Sequence, residues 1–285
     1  MVSYLSIFFM AVTFLLAVGF PTGLVIYFYK KQRISVPAVL VGALMFFVFQ
    51  VITRIPALAV IQNQTWFKDF AAQNLILTGI LIAFSAGLFE TAGRFIGLRF
   101  LLRKKLDRKN GIAYGIGHGG IEAVLLVGLS YIGNIVYSIF INAGAVSSEL
   151  VPQLLSTPPD WFLAAGIERV FTILFHIAAA LLVTYGIMYN KKIYILYCLL
   201  LHTLVDGVAV ILQIYKLPVW GIEGWVAVVG LLSLLFIVKS RRMFMIAPAG
   251  SKSESAENNE EAAKEGEGAE KNGEIVEGNE GGNKK

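Results

Sequence analysis

The side chains that could do chemistry in this sequence are ionisable groups inside long apolar runs. Three pairs have their members four positions apart, a spacing that puts both members on one face of a helix. They are Glu90 with Arg94, His118 with Glu122, and His202 with Asp206. His176 lies alone in another apolar run, and we call these seven residues the polar set. Because a charged group near the bilayer centre costs about 2.5 to 3.5 kcal/mol on insertion scales, we expect the set to have a functional role.

Carboxylates and imidazoles in one site favour hydrolysis of a peptide bond. That reaction needs an activated water, a donor for the developing oxyanion and an acid for the leaving amine. Either Glu90 or Glu122 could be the base. The oxyanion donor or proton shuttle could be His118, His176 or His202.

The same side chains could instead bind a metal ion, which is the second chemistry that the sequence allows. Three imidazoles, from His118, His176 and His202, and several carboxylates are available to supply a tetrahedral zinc site with one open coordination position. The zincin signature His-Glu-x-x-His is absent, since His118-Gly-Gly-Ile-Glu122 has a different order and spacing. We therefore favour a site without a cofactor and keep zinc as the alternative.

The elements that must position the polar set are membrane-spanning helices. Of the 285 residues, 56% are hydrophobic and only 15% are charged, which is unlike a soluble domain. Apolar runs of about 20 residues are typical of transmembrane helices. The sequence therefore predicts an all-α, polytopic membrane protein with seven spans, at residues 3–29, 35–61, 73–101, 112–142, 161–189, 193–214 and 219–238.

The basic residues between these spans predict how the chain is oriented. Thirteen Lys and Arg residues fall in alternate connections and after the last span, whereas the opposite connections contain only Lys68 and Lys216. The excess of basic residues marks the cytoplasmic side. We expect the N-terminus outside and the C-terminus in the cytoplasm, in a protein of the cell membrane. At about 1.5 Å per residue, the polar set then comes from four spans and lies at comparable depth.

The chain divides into two parts by composition. Residues 1–250 form the transmembrane domain, with the region that holds the polar set at about 75–215. Residues 251–285 contain ten glutamates and five lysines and almost no apolar side chains. Such a segment cannot bury enough apolar surface to fold, so we interpret it as a disordered acidic cytoplasmic tail.

Small residues recur at helical spacing beside the polar set. Gly111, Gly115 and Gly119 form one stripe, and Gly79, Ala83 and Gly87 form another. Such stripes allow two helix backbones to approach closely. Nearer the outer side, we expect Arg54 and Glu168 to pair as a structural bridge.

Four segments of the chain resemble the successive motifs of the YhfC-type intramembrane peptidase family. They are GLFETAGRFIGLRFLLRKK at 87–105, GIGHGGIEA at 115–123, ERVFTILFHIA at 168–178 and LHTLVDG at 201–207. The family is related to the PrsW and CAAX-processing glutamic-type membrane proteases. The resemblance runs in order over about residues 75–215.

The resemblance implies a helical intramembrane protease with the polar set as its site. Glu90 and Arg94 match the first motif, in which the relatives usually have two adjacent glutamates, whereas Glu90 here is flanked by Phe89 and Thr91. His118 with Glu122 matches the second motif and His176 the third. His202 with Asp206 matches the last. The related proteases activate water with glutamate and histidine without an obligatory metal, and the YhfC group has also been described as metallopeptidases.

The function we predict is cleavage of a membrane-embedded or membrane-proximal peptide bond by a glutamic-type site. The expected partners are the lipid bilayer and a membrane-protein or peptide substrate, and no segment predicts nucleic-acid binding. Two alternatives use the same residues. A proton- or ion-coupled transporter would use them as a proton relay, and an inactive protease-like scaffold would retain the fold without the chemistry.

Overall fold

The computed structural model describes residues 1–147, 149 and 151–246, and this part of the chain is helical with no strand. Seven helices are long and apolar enough to cross a membrane, which confirms the predicted fold class. In chain order, spans 1 to 7 are Tyr4–Gln32, Val36–Gln62, Leu75–Leu101, Arg108–Asn142, Pro159–Met188, Ile193–Ile214 and Val219–Met245. Short helices Thr65–Gln73 and Gln153–Ser156 and a 3-10 turn Arg103–Lys105 lie in the connections.

Spans 1 to 4 each contain a π-helical segment. These segments are Leu15–Gly19, Phe47–Arg54, Gly97–Leu101 and Ala123–Gly128. Two of them end two residues before a proline, Pro21 or Pro56. A proline inside a helix removes a backbone donor, and in span 2 the wider turn redirects the bonding so that the Ile55 N–H reaches the Gln50 carbonyl. This π-helical segment of span 2 contains Gln50 and Arg54, so it sets the direction of two polar side chains that lie near the site.

Hydrogen bonds between spans identify the two ends of the bundle. At one end the Ser35 N–H bonds Asn110, Arg108 bonds the Ile237 carbonyl, and Tyr189 bonds the Phe244 carbonyl. The predicted cytoplasmic connections therefore lie together. At the other end the Val2 N–H bonds Asn142, and Trp220 bonds Asp160. Which end faces the cytoplasm stays a prediction.

Span 4 is the centre of the bundle, because its glycines let two neighbours approach at once. A Cβ at Gly115 would lie 2.5 Å from the Ile177 Cα in span 5, and one at Gly119 would lie 2.9 Å from the His176 ring. On another face, a Cβ at Gly42 or Gly117 would collide with backbone across the contact between spans 2 and 4. The residues from Asn110 to Gly120 are accordingly all buried.

The second stripe of small residues packs span 3 against span 6. A Cβ at Gly87 would lie 2.8 Å from the Thr203 Oγ1, and one at Gly79 would lie 2.6 Å from a methyl group of Val210. Both stripes therefore lie at helix contacts, as their spacing predicts. Spans 3 to 6, which carry the polar set, are held together by these contacts.

The structured unit comprises Met1–Phe244. The predicted acidic tail, residues 251–285, lies outside the described residues, and so does the predicted boundary at residue 250.

Replacing Gly117 with alanine tests the close contact between spans 2 and 4. The added methyl group would overlap the Val39 carbonyl oxygen, and overpacking of this kind costs about 1–3 kcal/mol. We expect a thermal unfolding midpoint several degrees lower for the detergent-purified protein. Gly133→Ala in the same span is the control, because a Cβ there meets nothing within 4 Å. An equal midpoint in both variants would contradict the packing.

Candidate active site

The guanidinium of Arg94 lies where spans 3, 4, 5 and 6 meet. It is fully buried, and its Nη2 is 2.8 Å from Glu90 Oε2 and 2.6 Å from His176 Nδ1. The same nitrogen is 3.4 Å from His118 Nε2, and Nη1 is 3.5 Å from His202 Nδ1. One cation thus contacts the carboxylate of its own helix and one imidazole from each of three others.

Both carboxylate oxygens of Glu90 accept hydrogen bonds from buried donors. Oε1 accepts from Gln50 Nε2 at 2.8 Å. Oε2 accepts from Arg94 and lies 3.0 Å from His118 Nε2. His202 Nε2 is 3.5 Å from the same oxygen. Glu90 is therefore enclosed by donors, and its side chain is 7% exposed.

Glu122 has a different environment on the other side of His176. Its Oε1 accepts from Arg169 Nη1 at 2.9 Å, and Arg169 also pairs with Glu168. Its Oε2 lies 2.7 Å from His176 Nε2, within ion-pair distance of that ring. Because His176 Nδ1 accepts from Arg94, its proton lies on Nε2. The Nε2–H of His176 therefore faces the Glu122 carboxylate.

His202 and Asp206 form the most exposed part of the polar set. Their nearest atoms, His202 Nε2 and Asp206 Oδ2, are 3.4 Å apart, and the Asp206 side chain is 38% exposed. The i, i+4 spacing in span 6 produces this contact. All seven residues predicted from the sequence are thus brought together by contacts in the structure.

Two cavities meet at the carboxylates. The first, about 150 Å³, is lined by Glu122, His176, His202 and Asp206 and extends towards Glu168 and Arg169. The second, about 290 Å³, lies among spans 2, 3, 4 and 6, and its wall is mostly apolar with Gln50 and Arg54 among its polar members. Glu90, Glu122 and Asp206 line both cavities. His118 and Arg94 line neither of them.

Four residues bring potential metal ligands close to one another. One donor atom from each of Glu90, His118, Glu122 and His176 falls within 4.8 Å of the other three. This set differs from the three-histidine set considered from the sequence, because His202 is not a member and two carboxylates are. Two imidazoles and two carboxylates are suitable zinc ligands.

Two contacts of the site were not anticipated from the sequence, and one expectation was wrong. Gln50 and Arg169 bond Glu90 and Glu122, but only the tertiary structure brings them there. The expected bridge between Arg54 and Glu168 does not form: Glu168 pairs with its neighbour Arg169, and Arg54 bonds Ser85, Gln50 and the Ile82 carbonyl. For Gln50, the sequence signal that could have indicated a role at the site was a polar side chain inside an apolar run.

Comparison with known proteins assigns the chain to a family. Residues 12–227 match the family described as YhfC intramembrane metalloprotease. The chain belongs to the YhfC family. It is 36% identical to the protein named "Uncharacterized membrane protein YhfC" of Bacillus subtilis (strain 168) over 258 residues, which cover 86% of this chain and 100% of that relative. No solved structure gives a significant match.

Membership of the YhfC family establishes the broad class of the protein. The chain is an integral, multi-pass membrane protein of an intramembrane protease family. The matched region, residues 12–227, contains the whole polar set and every residue that lines the second cavity.

Arg94→Gln tests whether the guanidinium stabilises the polar set. The variant leaves the Glu90 carboxylate buried without its cation, and breaking a buried pair costs about 3–5 kcal/mol. We expect a large fall in the thermal unfolding midpoint. The double variant Glu90→Gln/Arg94→Gln should fall by less than the sum of the two single variants.

The matched control is Arg99→Gln, which removes an exposed arginine from the same span and should change the midpoint little. Additive losses for Glu90 and Arg94 would show that the two groups do not depend on each other.

Proposed function

We propose that this protein is an intramembrane endopeptidase of glutamic type in which Glu122 activates the attacking water. The observation that carries the proposal is that Glu122 lines both cavities and its Oε2 lies 2.7 Å from His176 Nε2. A general base needs a lone pair within reach of the water. Each oxygen of Glu122 has one contact, from Arg169 or His176, and so keeps a second lone pair.

Glu90 is less suited to be the base. Its two oxygens already accept bonds from Gln50 and Arg94, and His118 adds a contact to the second oxygen. We assign Glu90, Arg94 and His118 to holding His176 and His202 in place. The relatives usually have two adjacent glutamates in this motif, whereas Glu90 is flanked by Phe89 and Thr91. In this assignment Glu122 supplies the second carboxylate from the next span.

The reaction would proceed as ordinary amide hydrolysis. Water adds its oxygen to the carbonyl carbon and gives a proton to Glu122. His176 Nε2–H donates to the oxyanion that develops on the carbonyl oxygen. The oxyanion re-forms the carbonyl as the C–N bond breaks, and the leaving nitrogen takes a proton from protonated His202, whose ring Asp206 orients. The proton held by Glu122 then returns to His202, which restores both groups.

The guanidinium contacts of the two carboxylates support a site that works without an ion. The buried carboxylates of Glu90 and Glu122 are each in contact with a guanidinium, from Arg94 and Arg169. Buried charges need such compensation in a membrane. A divalent cation bound to the same oxygens would have to compete with these contacts.

A zinc-dependent site is the second candidate, and the four clustered donors favour it. Glu90, His118, Glu122 and His176 are the residues that would hold the ion, and their types and separation fit. Bound zinc would polarise the carbonyl and make water more acidic. The roles given to His202 and Asp206 are unchanged in that case.

Glu122→Gln is the direct test of the proposed base. The amide keeps the shape and the bond from Arg169 but cannot take a proton from water. We expect kcat for a model transmembrane substrate to fall about 10²–10⁴-fold, with little change in the thermal midpoint. Asp69→Asn, an exposed carboxylate outside the spans, is the control and should retain full activity.

Retained cleavage in Glu122→Gln would overturn the assignment. Solute uptake into liposomes without proteolysis by the native protein would favour a transporter instead.

Elemental analysis with a chelator test separates the two candidates. For a glutamic-type site we expect less than one zinc per chain and activity that survives chelation. Stoichiometric zinc that leaves together with activity would establish the zinc-dependent form. In that outcome His118→Gln and His176→Gln should lower the zinc content, whereas His202→Gln should retain it.

A further inference from the structure

Arg54 is a charged side chain in the membrane-spanning part of the chain whose direct hydrogen-bond partners, among the described residues, include no carboxylate. Its Nε bonds Ser85 Oγ at 2.9 Å, its Nη1 bonds Gln50 Oε1 at 3.1 Å and its Nη2 bonds the Ile82 carbonyl at 2.9 Å. All three acceptors are neutral. A guanidinium has five N–H donors, so two remain available.

The other two arginines at this site, unlike Arg54, are each in contact with a carboxylate. Arg94 lies 2.8 Å from Glu90, and Arg169 lies 2.9 Å from Glu122. Among the residues that the structure describes, no carboxylate oxygen lies within 4.0 Å of the Arg54 guanidinium. A guanidinium stays charged at any physiological pH. A cation at membrane depth that contacts no anion directly is costly, and such a residue is a candidate for a functional role.

The second cavity places Arg54 where a substrate would lie. Its wall is largely apolar, as a transmembrane peptide requires, and includes Phe46, Ile82, Leu126 and Val210. Arg54 lines this wall, while Glu122, the proposed base, lines the same cavity. A peptide that reaches Glu122 through the cavity would therefore pass the guanidinium.

Gln50 connects Arg54 to the reacting centre. Its amide oxygen accepts from Arg54, and its amide N–H donates to Glu90 Oε1. The guanidinium is thus separated from Glu90 by a single amide group. Asp206 lines the same cavity without a guanidinium of any described residue within 4.0 Å, and its carboxylate lies 3.4 Å from His202 Nε2.

We propose that Arg54 forms a subsite for a carboxylate side chain of the substrate, so that the enzyme prefers a transmembrane peptide with an Asp or Glu close to the scissile bond. The inference rests on the proposed function, whose substrate class it narrows. The carboxylate would take the two free N–H donors and neutralise Arg54. Charge-assisted, bidentate contacts of this kind are among the stronger hydrogen bonds.

The test compares matched model peptides that differ only in Glu against Gln at each position near the cleavage site. We expect the native protein to cleave one Glu peptide at least about tenfold better, in kcat/KM, than its Gln counterpart. Arg54→Gln should bring this ratio close to one while cleavage of the Gln peptide persists. Arg54→Lys keeps the charge but loses the fork, so it should retain part of the preference.

The ratio separates recognition from a structural role, since a loss of folding lowers both rates together. Arg99→Gln makes the same charge change at an exposed position of span 3 and should keep the native ratio. Equal cleavage of every pair by the native protein, or an unchanged preference in Arg54→Gln, would overturn the subsite and leave the proposed protease intact.

A binding measurement decides the subsite even if no peptide is cleaved. In the Glu122→Gln background, the labelled Glu peptide should bind at least about tenfold tighter than the Gln peptide. Addition of Arg54→Gln should remove the difference. Equal binding of the two peptides would contradict the subsite, whereas absence of cleavage alone would count against the proposed function.

Discussion

The structure depends on one buried guanidinium. Arg94 contacts Glu90 from its own helix and one imidazole from each of three neighbouring spans. In a membrane such a charge is tolerated only when the surrounding groups neutralise and bond it. The requirement of Arg94 for partners therefore constrains the rotation and depth of four helices, and the arrangement of the polar set follows from that constraint.

This arrangement requires close contact between the backbones of neighbouring helices. A histidine side chain is short, so its helix must come near before the ring can contact a central guanidinium. Glycines of span 4 let spans 2 and 5 pack directly against its backbone, and Gly119 lies under the His176 ring itself. Close packing at the small residues thus brings the ionisable side chains to bonding distance.

The two glutamates of the site differ because their neighbours differ. Glu90 is contacted by Gln50, Arg94 and His118, whereas Glu122 is contacted by Arg169 and His176. The more polar cavity leads towards Glu168 and Arg169, and the more apolar one passes Arg54. In the proposed mechanism the first cavity holds the water and the second holds the peptide.

The sequence by itself determined the seven spans, the i, i+4 pairs and the small-residue stripes, because hydropathy, helical periodicity and side-chain size are local properties. The residues of the polar set could also be picked out from the sequence, because ionisable side chains inside apolar runs are costly and therefore rare. The tertiary structure alone decided which groups touch. Gln50 and Arg169 become partners of Glu90 and Glu122, and Arg54 stays apart from Glu168, because such contacts depend on the rotation and offset of packed helices. Those variables arise from contacts between distant residues, and spacing along one helix carries no information about them.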